Sequence, residues 1–131
     1  MSDNAKAGRP LSPHLQIYRR TLTMMMSIVH RITGVALYAG TLLLVWWLSA
    51  AAVSESYFGF VQGLFGSWPG QLVLLGFTWA LIHHTAGGIR HLIWDTGRGF
   101  NLASVETGAR ITLAASILLT IALWAFAYGV M

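Results

Sequence analysis

Three long apolar stretches, joined by shorter polar segments, dominate the pattern of this chain. They cover residues 22–53, 71–94 and 111–130. A helix of about 20 apolar residues is long enough to cross the hydrocarbon core of a bilayer. The pattern therefore predicts an all-α integral membrane protein with three transmembrane helices at about these positions.

The segments outside the predicted spans differ in character. Residues 54–70 carry one acidic residue, no basic residue and several aromatic residues, which predicts an aromatic belt with room for a short interfacial helix. Residues 95–110 are predicted to form a polar loop. Residues 1–21 are predicted to be a cytoplasmic or interfacial segment, and residues 22–131 to be a three-helix membrane anchor.

Composition supports a membrane protein and excludes several functions. Of 131 residues, 56% are hydrophobic and 9% charged, whereas soluble domains carry about 25% charged residues. Three spans leave no room for a soluble catalytic domain. The absence of cysteine excludes disulfides, iron–sulfur ligation and thiol chemistry within this chain.

The basic residues predict an orientation in the membrane. The loop between the first two spans has no basic residue. Those outside the predicted spans precede the first span or lie between the second and third: Lys6, Arg9, Arg19, Arg20, Arg98 and Arg110. The positive-inside rule then places the N-terminus on the cytoplasmic or matrix side. The net charge of +4 therefore indicates topology rather than a nucleic-acid partner.

The segment LIHHTAGGIRHLIWD, residues 81–95, concentrates ionisable groups at the end of an apolar span. Such groups at membrane depth mark function by default. Four of its residues share one helical face: His84, Gly88, His91 and Asp95. Gly87 and Gly88 would let a bulky, flat group approach the backbone beside a neutral imidazole, as a buried haem requires. His84 is therefore the predicted axial haem ligand.

The neighbours of His84 have other predicted roles. His83 is rotated about 100° from His84, so we expect it to face another surface or a hydrogen-bond partner. His91 lies nearer the interface, where it would bond a haem propionate or hold Asp95. Asp95 itself would pair with Arg90, Arg98 or a helix end.

A second polar group lies in the first span, in SIVHRITG: Ser27, His30, Arg31 and Gly34, again on one face. Arg31 cannot lose its charge, so it needs an anion, a polar cavity or access to the interface. His84 lies about 16 Å from Asp95 along a helix, and His30 lies at a similar depth from Arg20. Ser27, His30 and Arg31 could bind a quinone carbonyl or a haem propionate.

Several other interpretations remain open at this point. His30 and His84 could be intrachain ligands of a self-contained bis-histidine cytochrome. The histidines could instead form hydrogen bonds between helices in a haem-free anchor, or relay protons. Zinc is disfavoured because no cysteine or intramembrane carboxylate completes a ligand set, and three spans without an inverted repeat argue against a transporter.

The motifs RPLSPHLQIY, SIVHRITG and HHTAGGIRHLIWD, in this order, resemble the cytochrome b membrane-anchor subunit of succinate dehydrogenase (respiratory Complex II), C type. The resemblance runs from Arg9 into the third span. It implies a helical bundle with a second small membrane-anchor subunit, attached to a flavoprotein subunit and an iron–sulfur subunit. It also implies a haem b shared between the two membrane subunits, and ubiquinone as the electron acceptor.

The resemblance assigns roles to individual residues. His84 corresponds to the axial ligand of the haem iron, and His30 to a residue near the haem propionates. Ser27 and Arg31 correspond to quinone-binding residues, and His91 belongs to the motif with a position near the haem. The chain would lie in the bacterial inner membrane or its mitochondrial equivalent and would not oxidise succinate alone. A fumarate reductase anchor shares this architecture.

Overall fold

The computed structural model describes residues 19–130 and contains four helices in this range. They are α1 (Leu22–Val53), α2 (Glu55–Gly66), α3 (Trp68–Asp95) and α4 (Leu102–Val130). Three of them, α1, α3 and α4, are long and apolar enough to cross a membrane. The prediction of an all-α protein with three such helices is confirmed. The predicted N-terminal segment 1–21 lies outside the described residues, apart from 19–21.

Serine and threonine side chains set the helix boundaries. The hydroxyl oxygens of Thr21, Ser54 and Ser67 accept hydrogen bonds from backbone N–H groups in the first turns of α1, α2 and α3. These bonds satisfy donors that have no partner within the helix. Ser54 and Ser67 are each the single residue between two helices. A short helix, for which the sequence left room between the first two long helices, is present as α2.

The sequence pattern misjudged where the polar loop ends. It predicted a loop over residues 95–110, but α4 already begins at Leu102 rather than near Ile111. The Asn101 side chain accepts a hydrogen bond from the Ser104 N–H at 2.9 Å, and an exposed ion pair between Glu106 and Arg110 follows within the helix. Polar turns thus extend the helix beyond its apolar part, because capping rather than hydrophobicity sets its start.

The turn that remains before α4 is short and depends on glycine. Gly97 and Gly99 have φ angles of +77° and +79°, a region that residues with a Cβ rarely adopt. The connection between α3 and α4 therefore holds their adjoining ends close together.

The opposite end of α3 also differs from the prediction, because this helix begins at Trp68 rather than near Gln71.

Helix α3 is the central element, since it packs against both α1 and α4. The residues buried between the helices are mostly small or polar: Thr33, Gly40, Ala50, Ala80, His83, Gly87, Ala109, Thr112, Ser116 and Thr120. Small residues let helices approach closely where lipid removes the hydrophobic driving force. Large apolar side chains are exposed along all three long helices, as lipid or a membrane partner requires.

Candidate functional site

His30 of α1 and His84 of α3 meet between their helices. Their imidazole rings are stacked, with centroids 3.9 Å apart and planes inclined by 4°. The ring of His91, two turns further along α3, lies 5.2 Å from that of His30. These three residues form the histidine cluster. The prediction that His30 and His84 lie at similar depth is confirmed.

Hydrogen bonds fix the tautomer of His84. Its Nδ1 lies 3.1 Å from the backbone oxygen of His30 and 3.2 Å from Oγ1 of Thr33. A carbonyl oxygen only accepts, so Nδ1 carries the hydrogen. In the neutral imidazole Nε2 then keeps its lone pair, and Nε2 has no hydrogen-bond partner within residues 19–130. A neutral imidazole in this state can bind a metal ion through Nε2.

Two glycines make room for the stacked rings. A Cβ atom at Gly87 would lie 2.6 Å from Nδ1 of His30, and one at Gly34 would lie 3.1 Å from Cε1 of His84. A Cβ atom at Gly88 would meet nothing within 4 Å. The sequence pattern assigned Gly87 and Gly88 to one gap. In the structure His30 fills the space at Gly87, and only the space at Gly88 is open.

His30 has an unsatisfied polar atom. Its Nδ1 is buried and has no hydrogen-bond partner among the described residues. A buried polar atom without a partner costs about 1–3 kcal/mol. The histidine cluster therefore contains a ring nitrogen at His84 with a free lone pair and a ring nitrogen at His30 that lacks a partner.

His83 points away from the histidine cluster, as predicted. It is 1% exposed, and its Nδ1 lies 3.1 Å from Oγ of Ser116 on α4. Ser116 donates its own hydrogen to the Leu113 carbonyl, so it accepts from His83 Nδ1–H. The sequence pattern missed this role of α4, although Thr112, Ser116 and Thr120 recur every four residues and form a buried polar stripe.

Ser27 and Arg31 lie on the outer surface of α1. Both residues are exposed, and their side chains form no hydrogen bond or ion pair within the described part of the chain. Arg31 stands at one end of an exposed apolar patch on α1 that continues along Ile32, Val35, Ala36 and Ala39. The face predicted for SIVHRITG is thus divided: His30 and Gly34 turn toward α3, whereas Ser27 and Arg31 turn outward.

The predicted partners of Asp95 are not its partners in the structure. Asp95 is exposed, and over residues 19–130 the only ion pair joins Arg110 to Glu106. The Arg90 guanidinium lies 5.1 Å from the centre of the Trp94 ring instead, and its Cδ lies beside Gly108 of α4. The rings of His91 and Trp94 are nearly perpendicular, with centroids 5.0 Å apart. Arg90 and His91 therefore contact Trp94, whereas the sequence predicted contacts with Asp95.

These features define the class of protein: a three-span integral membrane subunit with a histidine cluster between two spans. The family model of the succinate dehydrogenase/fumarate reductase transmembrane subunit matches residues 5–123. The chain belongs to this family, which confirms the predicted Complex II cytochrome b anchor.

Curated relatives agree with the family match. The chain is 41% identical to the succinate dehydrogenase cytochrome b556 subunit of Paracoccus denitrificans, over 92% of this chain and 93% of the relative. It is 39% identical to the subunit of the same name from Rickettsia typhi, over 88% and 90%. It is 40% identical to the mitochondrial cytochrome b560 subunit of Sus scrofa, over 92% and 72%.

Proposed function

We propose that this chain binds haem b, forms part of the quinone-reduction site of a succinate:ubiquinone oxidoreductase, and carries electrons from an iron–sulfur subunit to ubiquinone. The observation that carries the proposal is the state of His84, whose Nδ1–H is held by two oxygens while Nε2 keeps its lone pair. The relatives named cytochrome b556 and b560 support haem as the group concerned.

The residues of the histidine cluster fit a haem. His84 would hold the iron through Nε2, and haem b, when bound, supplies a one-electron carrier inside the membrane. His30 has a buried Nδ1 without a partner, which suits a residue near the propionates. His91 contacts the ring of His30 and would lie in the same neighbourhood.

The second axial ligand would come from the second membrane subunit. Two histidines that bind one iron approach it from opposite sides of the porphyrin, with the iron between their nitrogens. His30 is stacked face to face on His84 at 3.9 Å, so the iron has no place between these two rings. This geometry argues against a self-contained bis-histidine cytochrome.

Ser27 and Arg31 would form this chain's part of the quinone site. Both side chains are exposed on α1 and form no hydrogen bond or ion pair within residues 19–130. The Ser27 hydroxyl would donate a hydrogen bond to a quinone oxygen. The Arg31 charge would stabilise the negative charge that develops on reduction, an effect that is strong where water is excluded. The apolar patch beside Arg31 suits contact with the hydrocarbon part of such a ligand.

The flavoprotein and iron–sulfur subunits would dock on the side that carries the arginines. Arg19 and Arg20 precede α1, and Arg98 and Arg110 flank the start of α4. The positive-inside rule makes this the cytoplasmic or matrix face of the inner membrane. The chain has no cysteine for iron–sulfur clusters, so it would depend on these partners for succinate oxidation.

The test is a reduced-minus-oxidised optical spectrum of the complex, purified through a tag on this chain, with gel analysis of the proteins that co-purify. We expect a low-spin b-type haem, a flavoprotein and an iron–sulfur subunit. His84→Ala should abolish the haem signal while the chain still inserts. His14→Ala should keep it, since His14 precedes the first predicted span in the sequence. Absence of haem from gently handled wild-type membranes would refute the proposal, and haem without any partner would favour the self-contained cytochrome.

A further inference from the structure

The hydroxyl of Thr33 differs from the other threonine hydroxyls inside the long helices. Four of them donate to the carbonyl four residues earlier in their own helix and have no other side-chain partner: Thr41, Thr78, Thr112 and Thr120. This is the ordinary arrangement of threonine in a helix. Thr33 instead donates to the carbonyl three residues earlier, that of His30, at 2.9 Å. Its oxygen also lies 3.2 Å from Nδ1 of His84 on another helix.

The direction of each hydrogen bond follows from which group can donate a hydrogen. Thr33 gives its only hydrogen to the His30 carbonyl, so toward His84 it can only accept. The His84 Nδ1–H is therefore shared between two oxygens, one from the backbone and one from Thr33. Thr33 is 1% exposed, and water does not compete for this bond.

We propose that Thr33 is a positioning residue, whose hydroxyl orients the imidazole of His84 and lowers the reduction potential of the haem that this histidine holds. The inference rests on the proposed function, in which His84 is the axial ligand. An acceptor at Nδ1–H increases the electron donation of the ligand through Nε2, and a stronger donor favours ferric over ferrous iron. Thr33 acts only through His84 and does not touch the iron.

The size of the effect follows from the two acceptors. Loss of a hydrogen-bond partner of a metal-binding histidine weakens metal binding by about 10- to 100-fold. Removal of the Thr33 hydroxyl leaves the His30 carbonyl in place, so we expect the lower end of this range. If the affinity of His84 for the ferric haem falls tenfold and its affinity for the ferrous haem is unchanged, the reduction potential rises by about 59 mV for a one-electron couple.

The experiment is a redox titration of the haem absorbance in the whole purified complex, with a low-temperature EPR spectrum of the ferric haem, which responds to the orientation of the axial ring. Thr33→Val replaces the hydroxyl by a methyl group of similar size. Thr33→Ser keeps the hydroxyl. Thr41→Val is the matched control, since Thr41 on the same helix bonds only to its own helix, at 2.9 Å from the Leu37 carbonyl.

We expect Thr33→Val to raise the potential and change the EPR spectrum, while Thr33→Ser and Thr41→Val match the wild type. Loss of haem in Thr33→Val with normal haem in Thr33→Ser would support the same role. If the Thr33→Val variant does not accumulate, Thr33→Ala is compared with Thr33→Ser instead. Alanine also lacks the hydroxyl, and it places no methyl group in the position of the hydroxyl.

Two results would overturn the inference. One is an unchanged potential and EPR spectrum in the variants without the hydroxyl. The other is an equal shift in Thr33→Val and Thr33→Ser, which would show that packing rather than the hydroxyl is responsible. Failure of the proposed function is distinguishable, because the wild-type complex would then lack haem or would keep it in His84→Ala.

Discussion

Replacement of Gly87 by alanine tests the contact on which the histidine cluster depends. The added Cβ atom would lie 2.6 Å from Nδ1 and 3.0 Å from Cε1 of His30. An ordinary contact needs at least 3.4 Å, so the ring would have to retreat by about 0.8 Å. His30 is itself stacked on His84, and we expect the displacement to disturb both rings and reduce haem binding.

The energetic cost can be isolated with a matched glycine on the same helix. Overpacking of a close-packed site costs about 1–3 kcal/mol, whereas alanine in place of glycine favours a helix by about 1 kcal/mol. Gly76 also lies in α3, and a Cβ atom there would meet nothing within 4 Å. Gly76→Ala therefore gains the helix preference without the clash, and the difference between the two variants is the overpacking cost of about 1–3 kcal/mol.

The assay is reversible unfolding of the purified chain in mixed micelles, followed by tryptophan fluorescence, together with the haem-to-protein ratio of the complex. We expect Gly87→Ala to be the less stable variant and to contain less haem than Gly76→Ala. Equal free energies of unfolding and equal haem contents would show that the His30 ring does not occupy the space beside Gly87.

Three further predictions concern other parts of the molecule. Gly88→Ala should stabilise the haem-free chain by about 1 kcal/mol, as Gly76→Ala does, because the space there is open and alanine favours a helix. It should lower haem content if the porphyrin lies against this backbone, and an unchanged haem spectrum would place the cofactor elsewhere. Ser27→Ala and Arg31→Ala should keep the haem spectrum but slow quinone reduction, measured with a soluble ubiquinone analogue. Normal quinone kinetics in Arg31→Ala would contradict the assignment of Arg31 to the quinone site. Ser116→Ala removes the hydrogen-bond acceptor of His83 and should destabilise the chain by about 0.6 kcal/mol in the same unfolding assay. Haem should be retained, and its loss would show that this bond supports the cofactor site.

Residue spacing predicted the depth of the site but not the rotation of its helices. Counting from the span ends placed His30 and His84 at one level, and the rings do meet. The same counting could not choose between Gly87 and Gly88, since one residue turns a helix by 100°. The packing of α1 against α3 makes that choice. It also turns Ser27 and Arg31 outward, although the pattern placed them on one face with His30.

Other features were invisible because they depend on single polar contacts. The start of α4 is set by the Asn101 cap, and a window of hydrophobicity cannot detect one hydrogen bond. The link between Thr33 and His84 joins residues far apart in the chain. A threonine inside an apolar span looks the same in sequence whether it bonds only to its own helix or also to a histidine on another helix.

The pairing of α1 with α3 bears on how the chain matures in the membrane. The imidazole stack, the His30 carbonyl and the Thr33 hydroxyl all precede α4 in the chain, so they are synthesised before it. The histidine cluster can therefore form as soon as the α1–α3 hairpin closes. Before closure, the His84 N–H would face lipid without an acceptor, at a cost of several kcal/mol. The groups that hold the His84 imidazole in the finished protein are thus the ones that penalise an open hairpin during synthesis.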